Sequence, residues 1–308
     1  MTAIAITGAS GFVGRHMVRA AVTAGHHVTG LVRSERAAAL VREAGGKPEA
    51  LGDKPAALAR SLEGCRGLVH LAQIGAERFG QTYEVVNVGL TARIVAAAQT
   101  AGVPRIVSFS GLGVARYGQS RRVTSRYFLS KLTAETIVFG SGIDAVVFRP
   151  SYVVGPGDAF VPALLRAMAA GELERPGDGS YRMQPIAVAD ATALVLAALA
   201  RPAGGFPTVF DLVGPEAVPY ARLLERLEAV ARGLGRALRL RVREVEIAEA
   251  ERQARGGTGY QGMGPDALDC LLCDEVSDHA PLEALLGRRL TPLDEALAAA
   301  VRAAPVSA

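Results

Sequence analysis

The chain has 308 residues, half of them hydrophobic, with 34 basic and 30 acidic side chains and a net charge of +4. That length and composition exclude a disordered or fibrous protein and allow one large α/β domain or a domain with a smaller lobe, while so small an excess of charge gives no argument for nucleic acid or a membrane surface as partner. The most apolar runs, such as "ATALVLAALA" at 191–200, reach about half of the ~20 residues a membrane span needs, and an apolar strand beginning at Ala3 leaves no room for a signal peptide, so a cytoplasmic, reduced protein is expected.

The first half repeats one unit: a short β-branched apolar run, a turn, and a longer stretch of helical period. "AIAITG" (3–8) is the first run, and "ITGASGFVGRH" carries it through a glycine-rich turn into a helix. In that context Gly8 lets the chain leave the strand tightly, Gly11 lets backbone approach a pyrophosphate, and Gly14 lets the helix pack close to the strand. The amides around Ser10, Gly11, Phe12 and Val13 then face the phosphates, helped by the helix dipole. A tight turn with no ligand is the structural alternative.

"HVTGLVR" (27–33) is the second strand, and the choice of dinucleotide falls at its end. An acid there would hold a ribose 2′-hydroxyl, an arginine a 2′-phosphate. The sequence offers Arg33 and Ser34, with Arg36 close behind and no acid at the tip, so NADP is expected over NAD. The alternative for Arg33 is an ordinary exposed arginine.

A weaker run near Lys47 to Leu51, then "LVHLA" (68–72), "RIVSFS" (105–110) and "AVVFRP" (145–150), continue the series, with helices expected over 85–101 and 127–139. Strands alternating with helices imply right-handed crossovers and a parallel sheet covered on both faces. This is a doubly wound, Rossmann-type α/β fold, whose ligands sit at the carboxyl ends of the strands. Residues 1–150 read as the NADP-binding domain. Beyond them Pro and Gly become frequent ("RPSYVVGPGD", "RPGDG", "RPAGGFP"), and 151–308 read as a smaller, mostly helical substrate lobe with segments returning to the sheet near 208–213. "LRLRVREVEI" (238–247) alternates strictly and reads as a half-buried strand rather than a basic patch. Cys65, Cys270 and Cys273 are too few and odd in number for a disulfide framework. Cys270-x-x-Cys273 lacks the partners that would complete a zinc site, and none of the five histidines has ligand spacing, so core packing and no metal are expected.

"SRYFLSK" (125–131) sets Tyr127 and Lys131 four positions apart. Three lysines stand against 31 arginines, so a lysine here is informative, and roughly 0.07 chance Y-x-x-x-K matches are expected. An unperturbed phenol holds its proton too tightly for efficient acid/base work at neutral pH. An ammonium one helical turn away, with the positive ring of an oxidised nicotinamide, would lower that pKa.

Together "TGASGFVG", "GDKPAALARSLEGCRGLVHLA", "SFSGLGV", "YFLSK", "FRPSYVVGPGD" and "MQPIAVADA" resemble the short-chain dehydrogenase/reductase superfamily, in its extended or atypical-extended branch, over about residues 3–215. The resemblance implies that Tyr127 is the acid/base and Lys131 its activator, that Asp53 contacts the adenine, that Leu71, Ala72 and Gln73 line the cofactor, and that the Pro150 to Val153 backbone meets the nicotinamide. It also implies a Ser or Thr after the fifth strand to polarise the substrate carbonyl. Here the pair reads Ser110-Gly111, so the polarising position is held by Gly111 with Ser110 one place early. Either Ser110, a backbone amide or another hydroxyl takes the role, or Ser110 merely caps the strand end. Asn87 matches a family position where a buried amide satisfying backbone is expected; Tyr152, Arg182 and Gln184 fall in segments that face the cleft in relatives, with surface or lobe-packing roles as the equal alternative.

The function expected is an NADP-dependent oxidoreductase that reduces a carbonyl, or a related group, of a small organic substrate, with Tyr127 as proton donor. Two alternatives stay open: an epimerase or dehydratase using nicotinamide transiently, and a non-catalytic NADP-binding regulator or assembly subunit. The partners expected are a small-molecule substrate and, at most, a second copy of the chain as a homodimer.

Overall fold

The structure, a computed structural model, describes residues 2–171, 173–202, 204 and 207–305. Of the "RPAGGFP" stretch, Ala203, Gly205 and Phe206 lie outside the described residues. Six strands come from the first half: β1 (Ala3–Thr7), β2 (His27–Val32), β3 (Lys47–Ala50), β4 (Gly67–His70), β5 (Arg105–Phe109) and β6 (Asp144–Pro150). The chain then makes the short β7 (Val153–Val154), β8 (Leu173–Pro176), β9 (Arg182–Met183) and β10 (Ile186–Ala187). It returns to the main sheet as β11 (Thr208–Leu212), followed by β12 (Val218–Pro219) and β13 (Val242–Val245).

The main sheet has seven parallel strands in the order β11-β6-β5-β4-β1-β2-β3. Its central strands are buried on both faces, which is why they read as nearly continuous apolar runs; β4 and β5 are buried along their whole length. The direction of winding reverses between β1 and β4, and the crevice beyond their carboxyl ends is the place where such sheets bind ligands.

The helices of the first half are α1 (Phe12–Thr23), α2 (Glu35–Glu43), α3 (Pro55–Leu62), α4 (Leu90–Thr100) and α5 (Arg126–Phe139). Those of the second half are α6 (Phe160–Ala170), α7 (Val188–Ala200), α8 (Tyr220–Gly233), α9 (Ile247–Ala254), α10 (Pro265–Leu272), α11 (Ala280–Leu286) and α12 (Leu293–Ala303). One face of the sheet carries α3, α4 and α5 over a core of Leu58, Leu68, Ile94, Ile106 and Val147. The other carries α1 and α2, and also α7 and α11 from the second half, over Ile6, Met17, Val107, Leu194 and Leu282. Arg105 fastens α7 there, donating to the carbonyls of Ala198 (2.9 Å) and Leu199 (3.1 Å) while it pairs with Asp144. A separate core built from α6, α8, α9, α10 and α12 with β8 and β13 lies under the remaining segments.

Two stretches differ from their sequence pattern. The helix expected from residue 85 opens as a π-helical stretch, Glu84–Gly89, before α4; such wide turns recur near functional sites, and this one carries Asn87. In "LRLRVREVEI" only Val242–Val245 forms a strand, parallel to β8, while Leu238 and Leu240 pack half-buried on the lobe core.

The helix that matters most is tied to the sheet by an ion pair. Arg149 on β6 donates to both carboxylate oxygens of Glu135 on α5, at 2.9 and 2.7 Å, and Glu135 is 3% exposed. Removing one member of such a pair strands the other charge in a dry place. Glu135→Ala should therefore lower the unfolding free energy by roughly 3–5 kcal/mol, measured by urea denaturation; a loss within about 0.5 kcal/mol would mean that the pair does not hold α5.

Candidate active site

At the first crossover Gly8 has φ +67°, and a Cβ there would lie 2.8 Å from the backbone of Leu71 and Ala72. The turn thus presses against the end of β4, a contact only glycine permits. Gly14 packs as closely on the turn itself: an added Cβ would sit 2.1 Å from the Gly8 carbonyl oxygen. Gly11 has an ordinary φ of −72° and is exposed. It is the N-cap of α1, and no side chain caps that helix. Amides at the start of α1 are left for an anion, with Ser10, Phe12 and Val13 around them. These residues fit the pyrophosphate of a dinucleotide.

Further along the carboxyl edge, Ser34 is the N-cap of α2, its hydroxyl accepting from the Ala37 amide at 3.2 Å. Arg33 and Arg36 are exposed and make no ion pair among the described residues, whereas Glu35 is taken by Arg42 at 2.5 Å. Asp53 is fully exposed, 3.5 Å from Arg93.

The start of α5 is set by local chemistry. The Ser125 hydroxyl caps the helix by accepting from the Phe128 amide, and Phe128 lies over Gly113, where a Cβ would come within 2.4 Å of the ring. Asn87 clamps the chain after β4 to the same helix. Its Oδ1 accepts from the Ile74 amide (2.9 Å), and its Nδ2 donates to the Ile74 carbonyl (3.1 Å) and to Ser130 (3.0 Å). Ser130 in turn donates to the Tyr127 carbonyl at 2.7 Å. The expected backbone-satisfying role of Asn87 is therefore the observed one.

Lys131 is 3% exposed, and its Nζ donates to the Phe109 carbonyl at 2.8 Å and to Gln73 Oε1. Burial pushes this ammonium down to about 7, against the pull of Glu135 one turn on. Tyr127 does not show the lowering that its lysine neighbour suggested. Burial raises the phenol above its ordinary value, and Cys270, Glu275 and Tyr83 raise it further. The protein's own groups hold Tyr127 protonated.

Tyr127 lines a cavity of about 720 Å³ that also takes in Val13, Gln73, Ser110, Pro150 and Val153. Ser110 is 2% exposed and its hydroxyl is buried without a hydrogen-bond partner, an arrangement that costs free energy unless a ligand satisfies it. Gly8, Ser10, Gly11, Phe12, Gly14, Arg33, Ser34, Asp53, Leu71 and Ala72 lie along the carboxyl edge of the sheet, outside that lining. Tyr152 lines the cavity beside Phe160, with ring centroids 4.8 Å apart. Gln184 does not: its amide spans from the Gly214 carbonyl to the Ser277 amide. Nor does Arg182, an exposed brace to Asp274. Cys273 is buried and Cys270 borders the cavity; no cluster of metal-ligating groups occurs among the described residues.

Ser151, expected only as part of the Pro150 to Val153 backbone, and Glu275, which was not expected here, face the cavity together, the Ser151 hydroxyl donating to Glu275 Oε2 at 3.2 Å. Ser151 adjoins positions already singled out, but the 124 residues between the two gave no signal that they meet.

Residues 4–212 match the NAD dependent epimerase/dehydratase family. The chain is 32% identical, over 65% of its own length and 65% of the relative's, to a 4-hydroxy-2-methyl-3-oxo-4-farnesyl-3,4-dihydroquinoline-1-oxide ketoreductase of Stigmatella aurantiaca. It is 28% identical, over 73% of its length and 74% of the relative's, to a 2-alkyl-3-oxoalkanoate reductase of Stenotrophomonas maltophilia. Among solved structures it superposes on a UDP-glucuronic acid 4-epimerase from Bacillus cereus, solved with UDP-glucuronic acid and NAD, with a TM-score of 0.73, 18% identity and 98% of both chains covered. The chain belongs to the NAD dependent epimerase/dehydratase family. It is a nicotinamide-dependent enzyme of the oxidoreductase or epimerase kind. No helix among the described residues is long and apolar enough to cross a membrane.

Gly111, next to Ser110, leaves room for a side chain. A Cβ on Gly111 would meet Phe128 at 3.5 Å and Tyr127 Cε1 at 3.8 Å, ordinary contacts, and the backbone there is extended. Gly111→Ser should thus change stability by less than about 1 kcal/mol, whereas Gly113→Ser, driven into the Phe128 ring, should cost about 1–3 kcal/mol. Thermal unfolding of the two variants checks this; equal losses would contradict the geometry.

Proposed function

We propose that the protein is an NADP-dependent reductase of a ketone carried on a largely apolar molecule, with Tyr127 as proton donor. The observation that carries the reading is the convergence, in one mostly apolar cavity, of the Tyr127 phenol and the unpartnered Ser110 hydroxyl beside Val13, Gln73, Pro150 and Val153. Of the two curated relatives, both named as reductases of oxo compounds bearing apolar groups, the first supports this substrate class, whereas the second, named for an oxoalkanoate, shares with it the oxo group and the alkyl chain and differs in carrying a carboxylate.

The glycine turn would hold the pyrophosphate, and Lys131 with Gln73 would hold the nicotinamide half. When bound, the nicotinamide supplies the hydride. Everything else falls to the chain. Ser110 donates a hydrogen bond to the substrate carbonyl oxygen, which stabilises the negative charge that builds there. Tyr127, kept protonated by its surroundings, gives its proton to that oxygen. Lys131, held by the Phe109 carbonyl, places positive charge one helical turn away, so that the phenolate left behind is stabilised. Leu71 and Ala72 press on Gly8 and would line the cofactor, with Asp53 as the contact to its adenine. Arg33, with Arg36, would pair with a 2′-phosphate, the neighbouring Glu35 carboxylate being held by Arg42.

Net consumption of NADPH with a ketone panel separates this reading from an epimerase or dehydratase, which returns its cofactor unchanged. Tyr127→Phe should bind NADPH as the wild type does and turn over roughly 10²–10⁴ times more slowly; undiminished turnover removes Tyr127 from the chemistry. Arg33→Ala should weaken NADPH by about 10–100-fold and leave NADH within about twofold. Equal effects on the two cofactors, read by calorimetry, would overturn the NADP preference.

A further inference from the structure

Glu275 is 6% exposed, in the short segment after α10. Its backbone amide donates to the Arg182 carbonyl at 2.9 Å, and next to it Asp274 accepts from the Arg182 amide at 2.8 Å. The segment is thereby fixed along β9, and the Glu275 side chain lines the same cavity as Tyr127 and Ser110. One carboxyl oxygen, Oε2, accepts from Ser151; the other takes no hydrogen bond from any described residue. A carboxyl so deeply placed and half satisfied is expensive to keep for packing alone. No ion pair among the described residues offsets it, and the Arg116 guanidinium only moderates the effect of burial.

Burial pushes the carboxyl up to about 8, so near neutrality it carries its proton and both donates and accepts. Cys270, Tyr127 and Tyr152 face it, and all three are held neutral by burial. Arg166, a lining arginine on α6, is exposed. The surroundings therefore suit a neutral hydrogen-bonding group and not an anion.

We propose that Glu275, anchored by Ser151, is a specificity residue that binds a second, neutral polar group on the substrate, a hydroxyl or its like, on the same molecule as the ketone. This rests on the reductase reading of the cavity and narrows it: the preferred substrate is an apolar ketone with a further hydroxyl, amide or carbonyl, rather than a plain alkyl ketone or a keto acid. A site built to hydrogen-bond a group rejects the analogue that lacks it, because its own polar atoms are left unpaired.

The test uses the full chain and a matched series: one medium-chain alkyl ketone, its derivatives with a hydroxyl one to four carbons from the carbonyl, and the corresponding keto acid. With NADPH, at least one hydroxyketone should exceed the parent in kcat/KM by about tenfold or more, chiefly through KM, and the keto acid should be the poorest. Glu275→Leu should bring the hydroxyketone-to-parent ratio within about threefold of unity, and Glu275→Gln, which can still donate and accept, should keep most of it. Ser151→Ala, less disruptive, should reduce the ratio in the same direction if the leucine variant does not fold. The same ratio measured as Kd, by calorimetry on protein loaded with NADP, needs no turnover. Absence of ketone-dependent NADPH oxidation would thus count against the reductase reading alone. No hydroxyketone preference in the wild type by either measure, or a preference unchanged in Glu275→Leu, would overturn the role of Glu275.

Discussion

A single buried ammonium organises the site. Lys131 reaches from α5 to the carbonyl that ends β5 and to Gln73 beyond β4, so one charge joins three elements where the strand order turns. Such a charge is costly to hold in a dry place. It persists because a carbonyl, an amide oxygen and the nearby Glu135 carboxylate all favour it. Glu135 can stand so close because Arg149 binds it in turn and ties the helix to β6. The depressed pKa is then a consequence of burial, and a lysine poised near neutrality is what proton chemistry asks for.

The phenol beside it is the complementary case. Tyr127 sits against Tyr83 and Phe128, and its burial, with Cys270, Glu275 and Tyr83, favours the neutral form. The enzyme as built is thus in the proton-donating state, which suits reduction. On the proposed mechanism the positive ring of the oxidised dinucleotide would add to the Lys131 charge in lowering that phenol, so that acid and base roles would follow the redox state of the cofactor.

Much of this was legible in the sequence, for definite reasons. Continuous apolar runs such as "AIAIT" and "RIVSF" announce strands buried on both faces, and the glycine turn could be read because the first and last glycines have no steric substitute. Tyr127 and Lys131 were visible because helical spacing is a local property. What escaped was long-range. Gln73 meets Lys131 across 58 positions and Ser151 meets Glu275 across 124, and no periodicity carries such information. The π-helical turn at Asn87 was hidden because wide and regular turns share almost the same apolar pattern. Arg182 lies near the cleft by chain position, yet its side chain is drawn outward by Asp274.

The most direct measurement follows from the absence of tryptophan among seven tyrosines, which leaves tyrosinate absorbance near its ultraviolet maximum free of overlap. A spectrophotometric pH titration of wild type and Tyr127→Phe, each with and without saturating oxidised dinucleotide, isolates the one phenol. The account predicts a wild-type titration that moves below the ordinary tyrosine value of about 10 only when the dinucleotide is bound, and that vanishes in the phenylalanine variant. Identical curves with and without dinucleotide would contradict it.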